Sequence, residues 1–240
     1  MKIIRIILLL LVLPVSNITA YGQYGLNQIN AGNSSASTLT IVDSISMIGN
    51  SAGITIPAQN MSLANLIVIG LGAYTGSSSA PTITSSPSNT WNQVNYYSQG
   101  GPTQYQGAAI YYCYPCSVSS AMTFTINSYT TASVVGLSGA VSSPLDQSSG
   151  QTNTGAGILS ATLVPSQNNT FIMCASQDYL SATAPSTPTS FTSLYSYQYV
   201  NTFAYACQIS YYFQPTGASI TASSSVTGEN FQSIIVANFK

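Results

Sequence analysis

Histidine is absent from this 240-residue chain, and charge is nearly absent: three Lys or Arg and four Asp or Glu make up 3% of positions, against roughly 25% in ordinary domains. Each shortage excludes a class of chemistry. Without histidine there is no imidazole base to activate a serine or cysteine nucleophile. Lys2 and Arg5 lie in the first five residues and Lys240 is the last residue, so no lysine is placed for a Ser–Lys dyad and no basic patch exists to neutralise nucleic-acid phosphates. The acids Asp43, Asp146, Asp178 and Glu229 are scattered. A glycosidase needs two carboxyls across a cleft and calcium needs several clustered oxygens; no D-x-D pattern supplies either. Asp146, in Ser-Pro-Leu-Asp, reads as a turn cap. The expectation is a non-enzyme with no catalytic, cofactor-binding or metal-binding residues. So few titratable groups also predict a stability that varies little with pH.

What is present argues for a folded, associating protein. With 45% hydrophobic and 10% aromatic residues, the low charge does not signal disorder. A surface with little charge has little self-repulsion, which favours association. The N-terminus carries a basic pair, an apolar run at residues 6–15 and a small-residue stretch with cleavage expected after Ala20 or Gly22. That run is too short to span a bilayer, so residues 1–20 read as an export signal, and the expected location is extracellular, at the cell surface. No later stretch is long and apolar enough to cross a membrane. Residues 21–40, rich in Gly, Asn, Ser and Gln, lack apolar density and read as a flexible tail or a strand awaiting a partner.

From residue 41 the periodicity is that of strands. Phe203, Tyr205, Cys207, Ile209, Tyr211 and Phe213 share one face of a strand, and Met122, Phe124 and Ile126 share one face of another. Residues 66–71 are almost continuously apolar, as expected of a strand covered on both faces. Further strands are predicted over 41–48, 53–57, 91–97, 108–114, 133–137, 157–163, 170–175, 220–224 and 231–239, and residues 181–190 read as a surface loop. The fold expected for 41–240 is an all-β, antiparallel, jelly-roll-like sandwich in one domain.

Four cysteines in an exported chain predict two disulfides. Cys113-Tyr-Pro-Cys116 fits a bridge across a tight turn. Cys174 and Cys207 would then join two strands across a long loop, a closure worth about 3 kcal/mol. Asn33, Asn60 and Asn168 each begin an Asn-x-Ser/Thr sequence and are expected to carry glycans, which would help dissolve an uncharged surface. The clusters Tyr96-Tyr97, Tyr111-Tyr112 and Tyr195/Tyr197/Tyr199 fit half-buried strands, and could alternatively stack sugars.

The order of features resembles exported bacterial and archaeal jelly-roll modules. The matching stretches are residues 65–72, then 82–94 with Asn89-Thr90-Trp91, the Tyr-rich run 109–114 and the alternating run 122–126. They continue with Val135 to Gly139, Pro144-Leu145-Asp146 and the final Ala237 to Lys240. The resemblance covers 41–240 and implies a fold but no particular activity. Composition and the N-terminal tail are also similar to archaeal thread-type surface filaments, whose subunits donate a strand to a neighbour. The function expected is therefore a secreted structural subunit that self-assembles into a pilus- or thread-like filament by strand addition, its partner being a copy of itself. A monomeric carbohydrate-binding or adhesive module, with surface glycans as partner, is the alternative.

Overall fold

The computed structural model describes residues 38–49, 53–75, 78–101, 104–179, 183–199, 205–226 and 230–240. The expected export signal, nearly all of the expected tail, Asn33 and Phe203 lie outside these. Among the described residues there are fifteen strands. The first eight are β1 (Thr40–Ile48), β2 (Ile54–Gln59), β3 (Leu66–Thr75), β4 (Ile83–Ser86), β5 (Asn92–Gly101), β6 (Gln104–Cys113), β7 (Met122–Ile126) and β8 (Tyr129–Ser138). The remaining seven are β9 (Leu145–Asn153), β10 (Gly157–Leu163), β11 (Thr170–Tyr179), β12 (Thr192–Tyr199), β13 (Tyr205–Gln214), β14 (Ile220–Val226) and β15 (Asn230–Phe239). All pairings are antiparallel. The protein is an all-β sandwich, as its sequence predicts.

The pairing order shows an internal duplication that strand periodicity does not predict. In the first half β1 pairs with β8, β2 with β7 and β3 with β6. This is one long antiparallel ribbon wound on itself, the jelly-roll path. The second half repeats it: β9 pairs with β15, β10 with β14 and β11 with β13. Each half builds a five-stranded inner sheet, β1-β8-β3-β6-β5 or β9-β15-β11-β13-β12. Equivalent strands also share irregularities. Val42 is the extra residue of a bulge in β1 and Asp146 in its counterpart β9, while Val94 in β5 matches Leu194 in β12.

The two inner sheets stack face to face with β3 against β11, β1 against β12 and β5 against β9. A two-fold relation between the halves requires this arrangement, and it resembles the isologous contact of a homodimer. Between the sheets lies the main core, including Leu66, Val68, Ile110, Val135 and Leu137 from one half and Phe171, Met173, Ile209, Ile235 and Phe239 from the other. Smaller sheets cover the outer faces: β2-β7-β4 over the first inner sheet and β10-β14 over the second. The sandwich thus has four layers.

Burial follows from position in these layers. Every residue of β11 is buried, and nine of the ten in β3, because both faces are covered. The outer strands β7 and β10 keep the alternation of a one-sided sheet. Close stacking at the centre also demands small residues. A Cβ on Gly72 would lie 2.5 Å from Gln177 Oε1 and 2.8 Å from Cys207 Sγ, across the interface. The six-residue connection between the halves is tied down near its start and, where Lys240 N donates to Pro144 O at 2.9 Å, at its end. Asn65 donates from Nδ2 to Ala140 O at 2.9 Å and accepts from Ala140 N at 3.1 Å, while Val141 N donates to Lys240 O at 3.1 Å.

Gly72→Ala is expected to destabilise the protein by about 1–3 kcal/mol through overpacking. Gly155→Ala, whose Cβ would meet nothing within 4 Å, should change stability by less than about 0.5 kcal/mol. Denaturant unfolding of the two variants checks this pair.

Candidate functional site

The central core changes character along its length. At one end it is apolar and aromatic: Phe171 stacks on Tyr211 with centroids 5.7 Å apart, and Tyr112 meets Phe239 edge-on at 5.7 Å. At the other end the buried residues are polar, with Gln106, Thr131, Gln177 and Ser233 all at most 2% exposed. Gln177 Nε2 donates to Gln106 Oε1 at 3.4 Å across the two halves.

Beside this polar end runs a row of four tyrosines. Tyr74 of β3 stacks on Tyr205 of β13 at 6.3 Å, Tyr205 neighbours Tyr197 of β12 at 5.9 Å, and Tyr197 stacks on Tyr195 at 6.3 Å. Tyr205 is buried, whereas Tyr74, Tyr195 and Tyr197 are half-buried. Burial pushes the Tyr74 and Tyr195 hydroxyls above their ordinary range, with Tyr179 and Cys207 respectively adding to it. The row forms because β12 is an edge strand: Tyr197 lies opposite Cys207 and Tyr195 opposite Ile209, so both point to the inner face. Its rings spend much of their face area on one another, leaving an aromatic edge flanked by exposed Ser196 and Gln198. Of the sequence-predicted clusters only Tyr195 and Tyr197 join the row. Tyr111 is buried and donates its hydroxyl to Pro81 O at 2.6 Å. Tyr96, Tyr97 and Tyr112 pack against the cores, and the side chain of Tyr199 lies outside the described set. Tyr74 enters unforeseen, since nothing local in the sequence separates it from any other strand tyrosine.

The described acids occupy three separate places. Asp43 accepts hydrogen bonds from Ser44 N at 2.8 Å and Asn60 N at 3.0 Å. Asp178 is fully buried in β11. Asp146, the bulge residue of β9, makes a clamp. It accepts from Ser166 N at 2.7 Å, from the Ser166 hydroxyl, from Asn238 Nδ2 at 2.9 Å, and pairs with Lys240 Nζ at 3.2 Å. It does cap a turn, though one twenty residues further along the chain. Burial alone would raise its pKa, but the hydrogen bonds from Ser166, Asn238 and Lys240 outweigh it and hold the carboxyl at about 2. Against the expectation of a stability nearly flat with pH, this one carboxylate, held ionised by the fold, is the group through which acid would act.

The cysteines divide. Cys113 and Cys116 form a disulfide across their turn, with Cα atoms 5.5 Å apart. The expected Cys174–Cys207 bridge is overturned: both are free buried thiols. They stand on neighbouring strands, but in the β11–β13 register Cys174 faces Ser210 and Cys207 faces Gln177. An offset of three residues puts them on opposite faces of one sheet. Cys207 joins the central core and Cys174 the core beneath β10 and β14. Burial pushes both thiols up to about 12, against weaker lowering by Thr131 at Cys207 and Ser210 at Cys174. Among the described residues no group of three His, Cys, Asp or Glu could hold a metal ion. Asn60 and Asn168 are both exposed, each at a turn.

No family model matches this chain, and neither the curated proteins nor the solved structures contain a match.

Two outcomes are expected from this geometry. The folded pKa of Asp146 lies below its ordinary value of 3.8, so its contribution is present above that value and is lost as pH falls through about 2. Acid unfolding curves should show this loss between pH 4 and 2. Asp146→Asn should remove most of the loss while lowering stability at neutral pH by about 1.5–3 kcal/mol. Thiol titration without reductant should find no reactive cysteine in the native protein and two after denaturation, with Cys113 and Cys116 recovered as one oxidised peptide.

Proposed function

We propose that this chain is an exported, cell-surface structural subunit that self-assembles into a filament by adding an N-terminal strand to a neighbour's sheet edge. The observation that carries this reading is the state of one flank of the sandwich. There β1 and β12 lie side by side as edge strands, linked through Ser46 Oγ, which donates to Leu194 O at 3.3 Å. Among the described residues nothing pairs with the outer edge of either. Neither strand contains Lys, Arg or Pro, and Asp43 is the lone charge. Lys, Pro and inward-pointing charge are among the protections of an exposed edge; here the bulges at Val42 and Leu194 are the protection present, and beyond them each edge offers backbone N–H and C=O groups to an extended segment.

The chain enters the fold on the same flank. Of the tail expected over 21–40, Leu39, 3% exposed, belongs to the central core and Thr40 opens β1, so the donor segment proposed is 21–37, two residues before an edge strand. Extended, those seventeen residues reach about 56–61 Å, which is enough to leave one sandwich for the next. Donation from one copy to the next is heterologous and does not close, so it propagates. The small number of charges removes the repulsion that would oppose close packing of copies. The basic–apolar–small pattern of residues 1–20 supports export.

Deleting residues 21–37 from the exported protein should leave a folded head that forms no filaments under negative-stain microscopy, while the full-length protein forms them. Filaments from the deleted protein, or a full-length protein that stays monomeric at high concentration, would overturn the reading. The row Tyr74–Tyr205–Tyr197–Tyr195 would then favour the carbohydrate-binding alternative.

A further inference from the structure

Two of the Asn-x-Ser/Thr sequences lie within the described residues, and folding treats them in opposite ways. Asn60, Met61 and Ser62 form the turn after β2. Met61 is fully buried in the core under the β2-β7-β4 sheet, and its N donates to Ser119 O at 3.0 Å. The turn is further held by Asn60 N donating to Asp43 Oδ2 at 3.0 Å and by Ala64 N donating to Met61 O at 2.9 Å. With the middle residue anchored inward, Asn60 and Ser62 are both exposed. Asn60 Oδ1 accepts from Ser62 Oγ at 2.8 Å and from Ser62 N at 3.3 Å, an Asx turn that brings the amide and the hydroxyl of the sequence together on the surface. Asn168 differs at each point. Its Oδ1 accepts from Gly217 N at 2.7 Å in a neighbouring loop. Asn169 sits in the left-handed region at φ 58°, and Thr170 is the first residue of β11, with its hydroxyl oxygen buried and unpartnered.

We propose that Asn60 is an N-glycosylation site open in the folded protein, and that folding closes the site at Asn168. An acceptor sequence is defined by its hydroxyl as well as its asparagine, so a transferase must reach both. At Asn60 both are on the surface; at Asn168 the hydroxyl is inside the sandwich. The donor is a polyprenol-phosphate-linked oligosaccharide. Asn60 Nδ2 attacks the anomeric carbon, the new N–C bond forms as the bond from that carbon to the phosphate oxygen breaks, the polyprenyl phosphate leaves and the amide loses one proton. The glycan would stand three residues from Leu63, which at 75% exposure is the most exposed large apolar side chain among the described residues. It would add solvation beside that exposed apolar side chain. This inference is independent of strand addition.

The test uses purified folded full-length protein, a purified oligosaccharyltransferase with its lipid-linked oligosaccharide, and synthetic peptides spanning residues 56–66 and 164–174, with an enzyme that accepts both peptides. Glycopeptide mass spectrometry reads the rate at each site in the protein relative to its own peptide. The expected ratio is near one for Asn60 and at least tenfold lower for Asn168, and Asn60→Gln should abolish modification within residues 38–240, glycopeptides of Asn33 being read separately. Similar ratios at the two sites, or an Asn60 that stays unmodified in the folded protein while its peptide is accepted, would overturn the proposal.

Discussion

Every other feature of this protein depends on the contact between two inner sheets, each already covered on its outer face. A strand in that position has no side open to water, so its residues must be apolar, small, or polar and internally satisfied. β3 meets the demand with Leu66, Ile67, Val68, Ile69 and Leu71 around Gly70 and Gly72. β11 meets it in part, with Phe171, Ile172 and Met173 at one end and the buried polar residues Ser176, Gln177 and Asp178 at the other, where Gln177 Oε1 has no hydrogen-bond partner among the described residues. The polar end is bridged between halves by Gln177 and Gln106. Charge is scarce in part because so much of the chain lies in doubly covered strands. The same contact explains why small residues recur where the halves come closest, at Gly72, Ala108, Ala175 and Ala237.

How far the sequence discloses this depends on the face each strand presents. β7 and β10 have one wet and one dry side, so their alternation is plain, and β3 announces its double burial by an unbroken apolar run. β4, β9 and β12 are not among the predicted strands. Leu145–Asn153 contains one large apolar residue, and its strand state comes from pairing with β15 rather than from its own side chains. β12 has alternating Tyr195, Tyr197 and Tyr199, which fit a half-buried strand, but the bulge at Leu194 puts the one aliphatic residue of the segment out of step with them. The duplication is hidden for a related reason. Equivalent positions preserve the face and discard the residue: Leu66 and Phe171 correspond in pairing, and so do Leu137 and Phe239, and Gly72 and Gln177. Counting cysteines suggested a second bridge, but only the β11–β13 register reveals that Cys174 and Cys207 face opposite ways. Asp146 stood out as a lone acid; its partners Ser166, Asn238 and Lys240 are brought to it by the winding of the second half.

The exterior follows from the same architecture. Four edge strands bound the two inner sheets, and each carries a bulge near one end. Bulges twist an edge away from indiscriminate pairing, so any added strand is confined to the straight stretches beyond them, such as Tyr195–Tyr199 in β12. Selectivity of this kind would suit the strand addition proposed above, which needs one register. Where the edges do not pair, hydroxyls and amides cover the surface in place of charge. On the outer face of β10 and β14, Ser160 and Ser223 share a hydrogen bond at 2.9 Å, and Thr162 and Thr221 another at 2.8 Å.

If the halves are bound by their inner sheets as described, neither can open without exposing the other's core. Native-state hydrogen exchange measures this directly, because it assigns an opening free energy to each amide. The slowest amides should lie in β3, β6 and β8 and equally in β11, β13 and β15, and all should exchange at one shared global free energy that shifts together with denaturant. A second half whose core amides exchange at a clearly lower free energy, while the first half stays protected, would contradict the account.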